Sequence, residues 1–237
     1  MLKGILIDSL VVSFAGGLLA LDRTAAFQFM VSRPIVAAPV IGWLLGNAGA
    51  GLVVGVVVEM LFIGDLPVGA YVPVHETGLS VLTTALIVTA ISSAGADPGV
   101  FTAAVTVPIF LIVGLPVSRL YRKADTLTRR VNSRFFHSAE YHLNASQDAP
   151  LARENMKGLA VFFTTSVVSL FVTAAPLMYA VSLAASALSL SGSMYPALAG
   201  SAIVALAAAY NALYTDKSVF IFPASGVAGA VVWILAL

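Results

Sequence analysis

Charged residues fall in clumps along this chain, and long apolar stretches separate the clumps. Residues 9–21, 34–58, 77–96, 98–118 and 218–237 hold no Asp, Glu, Lys or Arg, and 158–215 holds none of these and no His. A helix needs about 20 residues to cross a hydrocarbon core roughly 30 Å thick. The longest gap has room for two such helices, joined at the turn-rich 189–196 (SLSGSMYP). The pattern predicts an all-α, polytopic membrane protein with about seven hydrophobic segments, some of them broken or re-entrant near 64–77. Glycine and proline recur inside the apolar stretches, as membrane helices tolerate. Lys3 precedes the first apolar stretch, but Asp8 interrupts it. It reads as a retained first helix lying partly in the interface rather than as a cleaved signal.

Composition narrows the class. Of 237 residues, 59% are apolar and 10% charged, whereas a soluble domain carries about 25% charged residues. That balance excludes an aqueous globular domain, a nucleic-acid binder and a disordered chain. Cysteine is absent, which excludes disulfides, cysteine-bound zinc and thiol chemistry. No phosphate-cradling glycine loop with lysine, GxSxG or HExxH motif occurs. His137 and His142 stand five apart, which does not suit an i, i+4 metal pair. No metal, cofactor or catalytic residue of its own is expected.

The one polar segment, 119–157, divides the chain into a membrane half (1–118), a basic segment and a second membrane half (158–237). It holds Arg119, Arg122, Lys123, Arg129, Arg130, Arg134, Arg153 and Lys157 against Asp125, Glu140, Asp148 and Glu154. The positive-inside rule places it in the cytoplasm. Leu120, Ala124, Leu127, Val131 and Phe135 recur at helical spacing. Two readings stay open: a basic helix lying along the membrane surface, or a face on which Arg129, Arg130 and Arg134 dock an acidic partner.

Candidate chemistry concentrates in 22–80. Asn47, Gly51, Gly55 and Glu59 are four apart, hence on one helix face; the glycines let another backbone approach, and Glu59 then leaves a packed apolar seam. An ionisable group there marks a ligand or ion path, or else serves as structural glue. Residues 64–78 (GDLPVGAYVPVHETG) hold two prolines and three glycines, too many for a clean spanning helix. Broken backbone with Asp65, His75 and Glu76 suits a transporter binding site; the plain alternative is a polar loop outside the bilayer. Gln28, between Phe27 and Phe29, is a candidate sugar contact, because an amide both donates and accepts. Arg33 either pairs with an acid or anchors at the interface.

The run Ser32-Arg33-Pro34-Ile35-Val36-Ala37, then Gly42-Trp43-Leu44-Leu45-Gly46-Asn47, Gly51, Gly55, Glu59-Met60, Gly64, Val68-Gly69-Ala70 and Pro73 resembles the mannose/fructose/sorbose-type IIC subunit (EIIC) of the bacterial phosphoenolpyruvate-dependent sugar phosphotransferase system. The resemblance covers about 32–80. It implies a permease in the bacterial inner membrane that holds a sugar for phosphorylation by IIB, fed by IIA, beside a IID membrane subunit in a homo- or hetero-oligomer. It implies that Glu59 is a sugar-hydroxyl ligand and that Gly69 and Ala70 line the site. The chain departs from the family pattern at Asn47, where the family has an acid, and at His75, where an acid is replaced and Glu76 follows. Two other functions are weighed against this one. In an ion-coupled secondary transporter, Asp65, His75 and Glu76 would relay a proton. A non-transporting scaffold derived from the same fold would only recruit a soluble partner.

Overall fold

A computed structural model describes residues 2–63, 74–95, 102, 106, 109–144 and 151–187. Among these the ordered structure is helical throughout, with no strand. α1 (Leu2–Thr24) buries Val12, Ser13, Gly16, Gly17 and Ala20, a strip of small and medium side chains. The strip exists because two helices press on it. A Cβ at Gly16 would lie 2.7 Å from Leu170 and 2.9 Å from Val81, and one at Gly17 would collide with Val167. Leu6, Ile7, Leu10, Phe14 and Leu18 face outward from the same helix.

The uncharged stretch 34–58 is not one span. It folds into two short helices, α2 (Pro34–Leu44) and α3 (Ala48–Phe62), packed as an antiparallel hairpin. At 1.5 Å per residue these reach only about 16 and 22 Å, short of the hydrocarbon thickness. The turn is made by Gly46, at φ +86°, and Asn47, whose Oδ1 accepts the Ala50 N–H at 2.9 Å. Asn47 thus caps α3 instead of packing a helix face. Gly51 and Gly55 do pack: each faces α2 backbone, Ala38 and Pro39 at one end and Pro34 and Ile35 at the other.

α4 (Glu76–Ala94) runs through the middle of the molecule and is buried on every side from Thr77 to Val88. Three of its hydroxyls turn back onto their own helix: Ser80 donates to the Thr77 carbonyl, Thr84 to that of Ser80 and Thr89 to that of Ala85. This satisfies them where no water is at hand. α1 and α6 (Leu151–Ala187) flank it; Ser93 and Ser182 share a hydrogen bond of 2.8 Å at one end. Three helices among the described residues, α1, α4 and α6, are long and apolar enough to cross a membrane. The segments expected at 194–213 and 218–237 lie outside the described residues, as do 98–101, 103–105 and 107–108 of the segment expected at 98–118.

A π-helical turn, Phe110–Gly114, leads into α5 (Leu115–Asn144). α5 runs antiparallel beside α6: Tyr121 meets Thr173, Asn132 meets Gly158, and Lys157 sits over the Phe135 ring. α6 has 37 residues, or about 55 Å of helix, so some 25 Å of it exceeds a hydrocarbon core. Its charges, Arg153, Glu154 and Lys157, all lie at its N-terminal end. That end and the α5 residues beside it form a paired stalk. The orientation of α5 about its axis is the second surprise. Ser118, Tyr121, Asp125 and Thr128 are buried, while Leu120 and Leu127 are 48% and 55% exposed. The helix buries these four polar groups against the protein, while its outward side carries both leucines and the bases Arg119, Lys123, Arg129, Arg130 and Arg134.

Candidate functional site

Three chain segments converge at the end of the bundle where α5 and α6 carry their bases. The first is the start of α2. Pro34 occupies the first turn, where a missing N–H costs nothing, and Arg33 precedes it in extended conformation (φ −62°, ψ 140°). The second is α3, drawn against α2 by Gly55 so that Glu59, one turn on, reaches Arg33. The third is the first turn of α4, tied to the α2 entry because the Thr77 hydroxyl donates to the Ser32 carbonyl at 2.8 Å.

The result is a guanidinium between two carboxylates. Arg33 Nη1 lies 3.7 Å from Glu59 Oε1 and 3.4 Å from Glu76 Oε1. The other Glu59 oxygen accepts the Ile35 N–H at 3.4 Å. All three side chains are partly buried. These contacts are longer than ordinary charge-assisted bonds, about 2.7–2.9 Å, so Glu59 keeps acceptor capacity for a ligand. The arrangement offers carboxylate acceptors and a guanidinium donor a few ångströms apart, which suits a polyhydroxylated molecule. Arg33 therefore pairs with acids rather than anchoring alone.

Sequence reasoning brought Glu59 and Glu76 forward, and the structure brings them together. Gln28 stands apart. It is exposed on a left-handed turn (Phe27, Gln28 and Met30 have φ of 63°, 57° and 66°), and the two phenyl rings beside it stack on each other. That turn is held by Asp22, whose carboxylate accepts the N–H groups of Phe29 at 2.6 Å and Ser32 at 3.1 Å. Asp65, Gly69 and Ala70 lie outside the described residues.

His75 caps α4: its Nδ1 accepts the Gly78 N–H at 2.9 Å, which requires that nitrogen to be unprotonated. Burial, and then the neighbouring Arg23 cation, push the imidazole down from 6.5 to about 4, with Asp125 opposing. The unfolded imidazole takes up a proton as pH falls below 6.5, and the native one resists. The stabilising contribution is therefore complete above pH 6.5 and is lost as pH falls toward 4. His75→Asn keeps a capping acceptor without the titration. Thermal melts at pH 7 and pH 5 should show a smaller acid loss in this variant than in the parent chain.

One pair escaped the sequence reading. Arg23, at the end of α1, makes a 2.7 Å ion pair with Asp125 of α5, both side chains under a tenth exposed. Its second terminal nitrogen donates to the Val74 carbonyl at 3.0 Å. The signal for it was weak: a lone acid within a basic run, with the partner 102 positions away. Beside it His75, Tyr121, Asp125, Thr128, Ser166 and Ser169 line a cavity of about 20 Å³, room for one water. Among the described residues no group of acids and histidines is placed to hold a metal ion.

Known proteins carry parts of this pattern. A family model described as the PTS system sorbose-specific IIC component matches residues 5–210. The sorbose-specific EIIC component of Klebsiella pneumoniae is 25% identical over 155 residues, 62% of this chain and 52% of that protein. The mannose-specific EIIC component of Escherichia coli (strain K12) is 23% identical over 113 residues, 48% of this chain and 38% of the other. The chain thus matches about half the length of these curated relatives, or less. A solved structure described as "Structure of membrane protein" shares the fold, with TM-score 0.58 at 17% identity over 98% of this chain and 94% of that one. The match over most of the sequence agrees with the motifs at 32–80, and the chain belongs to the family of the sorbose-specific IIC component of the PTS system.

Proposed function

We propose that this chain is the membrane IIC subunit of a mannose-family sugar phosphotransferase system, binding a sugar and presenting it for phosphorylation by IIB. The observation that carries the reading is the Arg33–Glu59–Glu76 cluster, built from the start of α2, the last turn of α3 and the start of α4. An uncharged sugar is recognised by groups that accept from and donate to its hydroxyls, and a carboxylate offers several acceptor sites. Arg33 offsets part of the negative charge that two carboxylates would otherwise hold at one place. Asp65, Gly69, Ala70 and His75 belong to the same proposal as further lining groups, whereas Gln28 stays apart on its exposed turn.

The cluster lies at the end of the bundle where Arg23, Arg33 and the bases of α5 and α6 gather, while Lys3 lies at the other. The positive-inside rule turns this end to the cytoplasm of a bacterial plasma membrane, within reach of a soluble phosphocarrier. The short α2–α3 hairpin then enters the bilayer from that side and returns, as broken elements do around transporter sites. About seven hydrophobic segments, a IID membrane partner, the phosphocarriers IIA and IIB, and a homo- or hetero-oligomer complete the reading. Arg129, Arg130 and Arg134 on the stalk are offered as the docking bases; Arg130 and Arg134 share the outward side with Leu127.

The test uses vesicles containing the chain with IID, IIA, IIB and phosphoenolpyruvate. Sugar phosphate is expected as the product, and accumulation of unmodified sugar overturns the reading. Glu59→Gln keeps shape and removes charge; it should weaken sugar binding by about tenfold, the worth of one hydrogen bond to a charged group, with the melting temperature unchanged.

A further inference from the structure

One residue of backbone joins the Arg23–Asp125 pair to the Arg33–Glu59–Glu76 cluster. The Val74 carbonyl accepts from Arg23 at 3.0 Å and also from the Glu76 N–H at 2.9 Å. Glu76 in turn faces Arg33. Between them His75 closes the α4 cap onto Gly78. Nothing in this chain of contacts has a flexible linker: each step is a hydrogen bond or a single residue.

We propose that Arg23 and Asp125 are positioning residues for the cluster, so that the seat of α5 sets how Glu76 meets Arg33 and Glu59. The proposal rests on the sugar-site reading for its consequence and on geometry for its mechanism. A buried ion pair holds only while both partners stay; removing one leaves an uncompensated charge that must find water. If Asp125 withdraws, Arg23 loses its anchor and the Val74 carbonyl loses a donor. Glu76 then moves with the backbone.

The interface through which α5 would act is unusual for a membrane bundle. Asp125, Tyr121 and Thr128 face Thr165, Ser166, Ser169 and Thr173 across a cavity with room for a water. Interlocked apolar side chains resist sliding; hydroxyl groups exchange partners with each other and with water at little cost. α5 also carries the exposed bases of the stalk on its other sides. A load on the stalk is therefore transmitted to Glu76 through Asp125 and Arg23.

The experiment uses the full chain in nanodiscs, with two readouts. Hydrogen exchange reports the Gly78 and Leu79 amides, and equilibrium binding of D-mannose and L-sorbose reports the site. Asp125→Asn is the first variant. The charge-free pair Arg23→Gln with Asp125→Asn is the second, because it leaves no orphaned ion if the single variant fails to fold. Both should speed exchange at Gly78 and Leu79 by about tenfold while the middle of α4, Leu82–Leu86, stays protected. Asp125→Asn should lower sugar affinity about tenfold in the parent chain and add nothing in a Glu76→Gln background, as groups acting in series do. Unchanged exchange in the paired variant, or losses that simply add, overturns the proposal. If neither sugar binds the parent chain, the sugar reading falls and the exchange result alone decides the positioning role.

Discussion

Gly51→Val is expected to abolish the α2–α3 hairpin, and with it the folded protein. A Cβ at this position would overlap the Ala38 carbonyl oxygen and stand 2.9 Å from both the Ala38 carbonyl carbon and the Pro39 Cα. All three atoms are backbone, so no rotamer change relieves the contact. The helices must separate, and the buried contacts of Ala37, Ala38, Val54 and Val58 loosen together. Overpacking costs about 1–3 kcal/mol where side chains can yield, and here they cannot, so the loss should reach or exceed that range. Set against a typical total of about 5–15 kcal/mol, a loss beyond that range takes a large share of the stability. Gly49→Ala is the control: its Cβ would meet only the Asn47 side chain, at 3.7 Å. Within a helix it should gain about 0.4–1 kcal/mol. Size-exclusion profiles and melting curves of the two variants should move in opposite directions.

The same glycine shows how far the sequence could be read. The spacing of Gly51, Gly55 and Glu59 announces a close-packed face, and the structure puts α2 backbone against it. What the spacing does not disclose is that the partner is the preceding dozen residues. Membrane-type composition runs unbroken from Pro34 to Val58, so a hairpin of short helices and one full span look alike. Only Gly46, in its left-handed conformation, and Asn47 as a cap distinguish them. α5 offers a parallel lesson. The stripe of Leu120, Ala124, Leu127, Val131 and Phe135 divides in the structure: Ala124 and Phe135 lie beside α6, while Leu120 and Leu127 face outward. Asp125 and Tyr121 turn inward because each finds a partner there, Arg23 and Thr173. Of the candidate site, Glu59 and Glu76 were legible because acids within apolar sequence are costly to keep. Their meeting at Arg33, and the Arg23–Asp125 pair, required the fold, since nothing local ties residue 23 to residue 125.

Arg33→Gln should be the most damaging single change at the site. It removes the one cation between Glu59 and Glu76 and leaves two partly buried carboxylates facing each other. Truncating one partner of such a group costs about 2–5 kcal/mol, much of it the penalty on the charge left behind. At 1.4 kcal/mol per factor of ten, sugar affinity should fall by roughly two orders of magnitude or more. This exceeds the loss expected for Glu59→Gln, which deletes a charge without orphaning another. Arg33→Lys keeps the charge but replaces the guanidinium, whose Nη1 faces both acids, with a compact ammonium on a different stem, and should fall between them. Binding titrations of D-mannose and L-sorbose on the three variants check the order. If Arg33→Gln binds sugar as the parent does, the cluster is a structural tie between α2, α3 and α4, and the ligand must be held elsewhere.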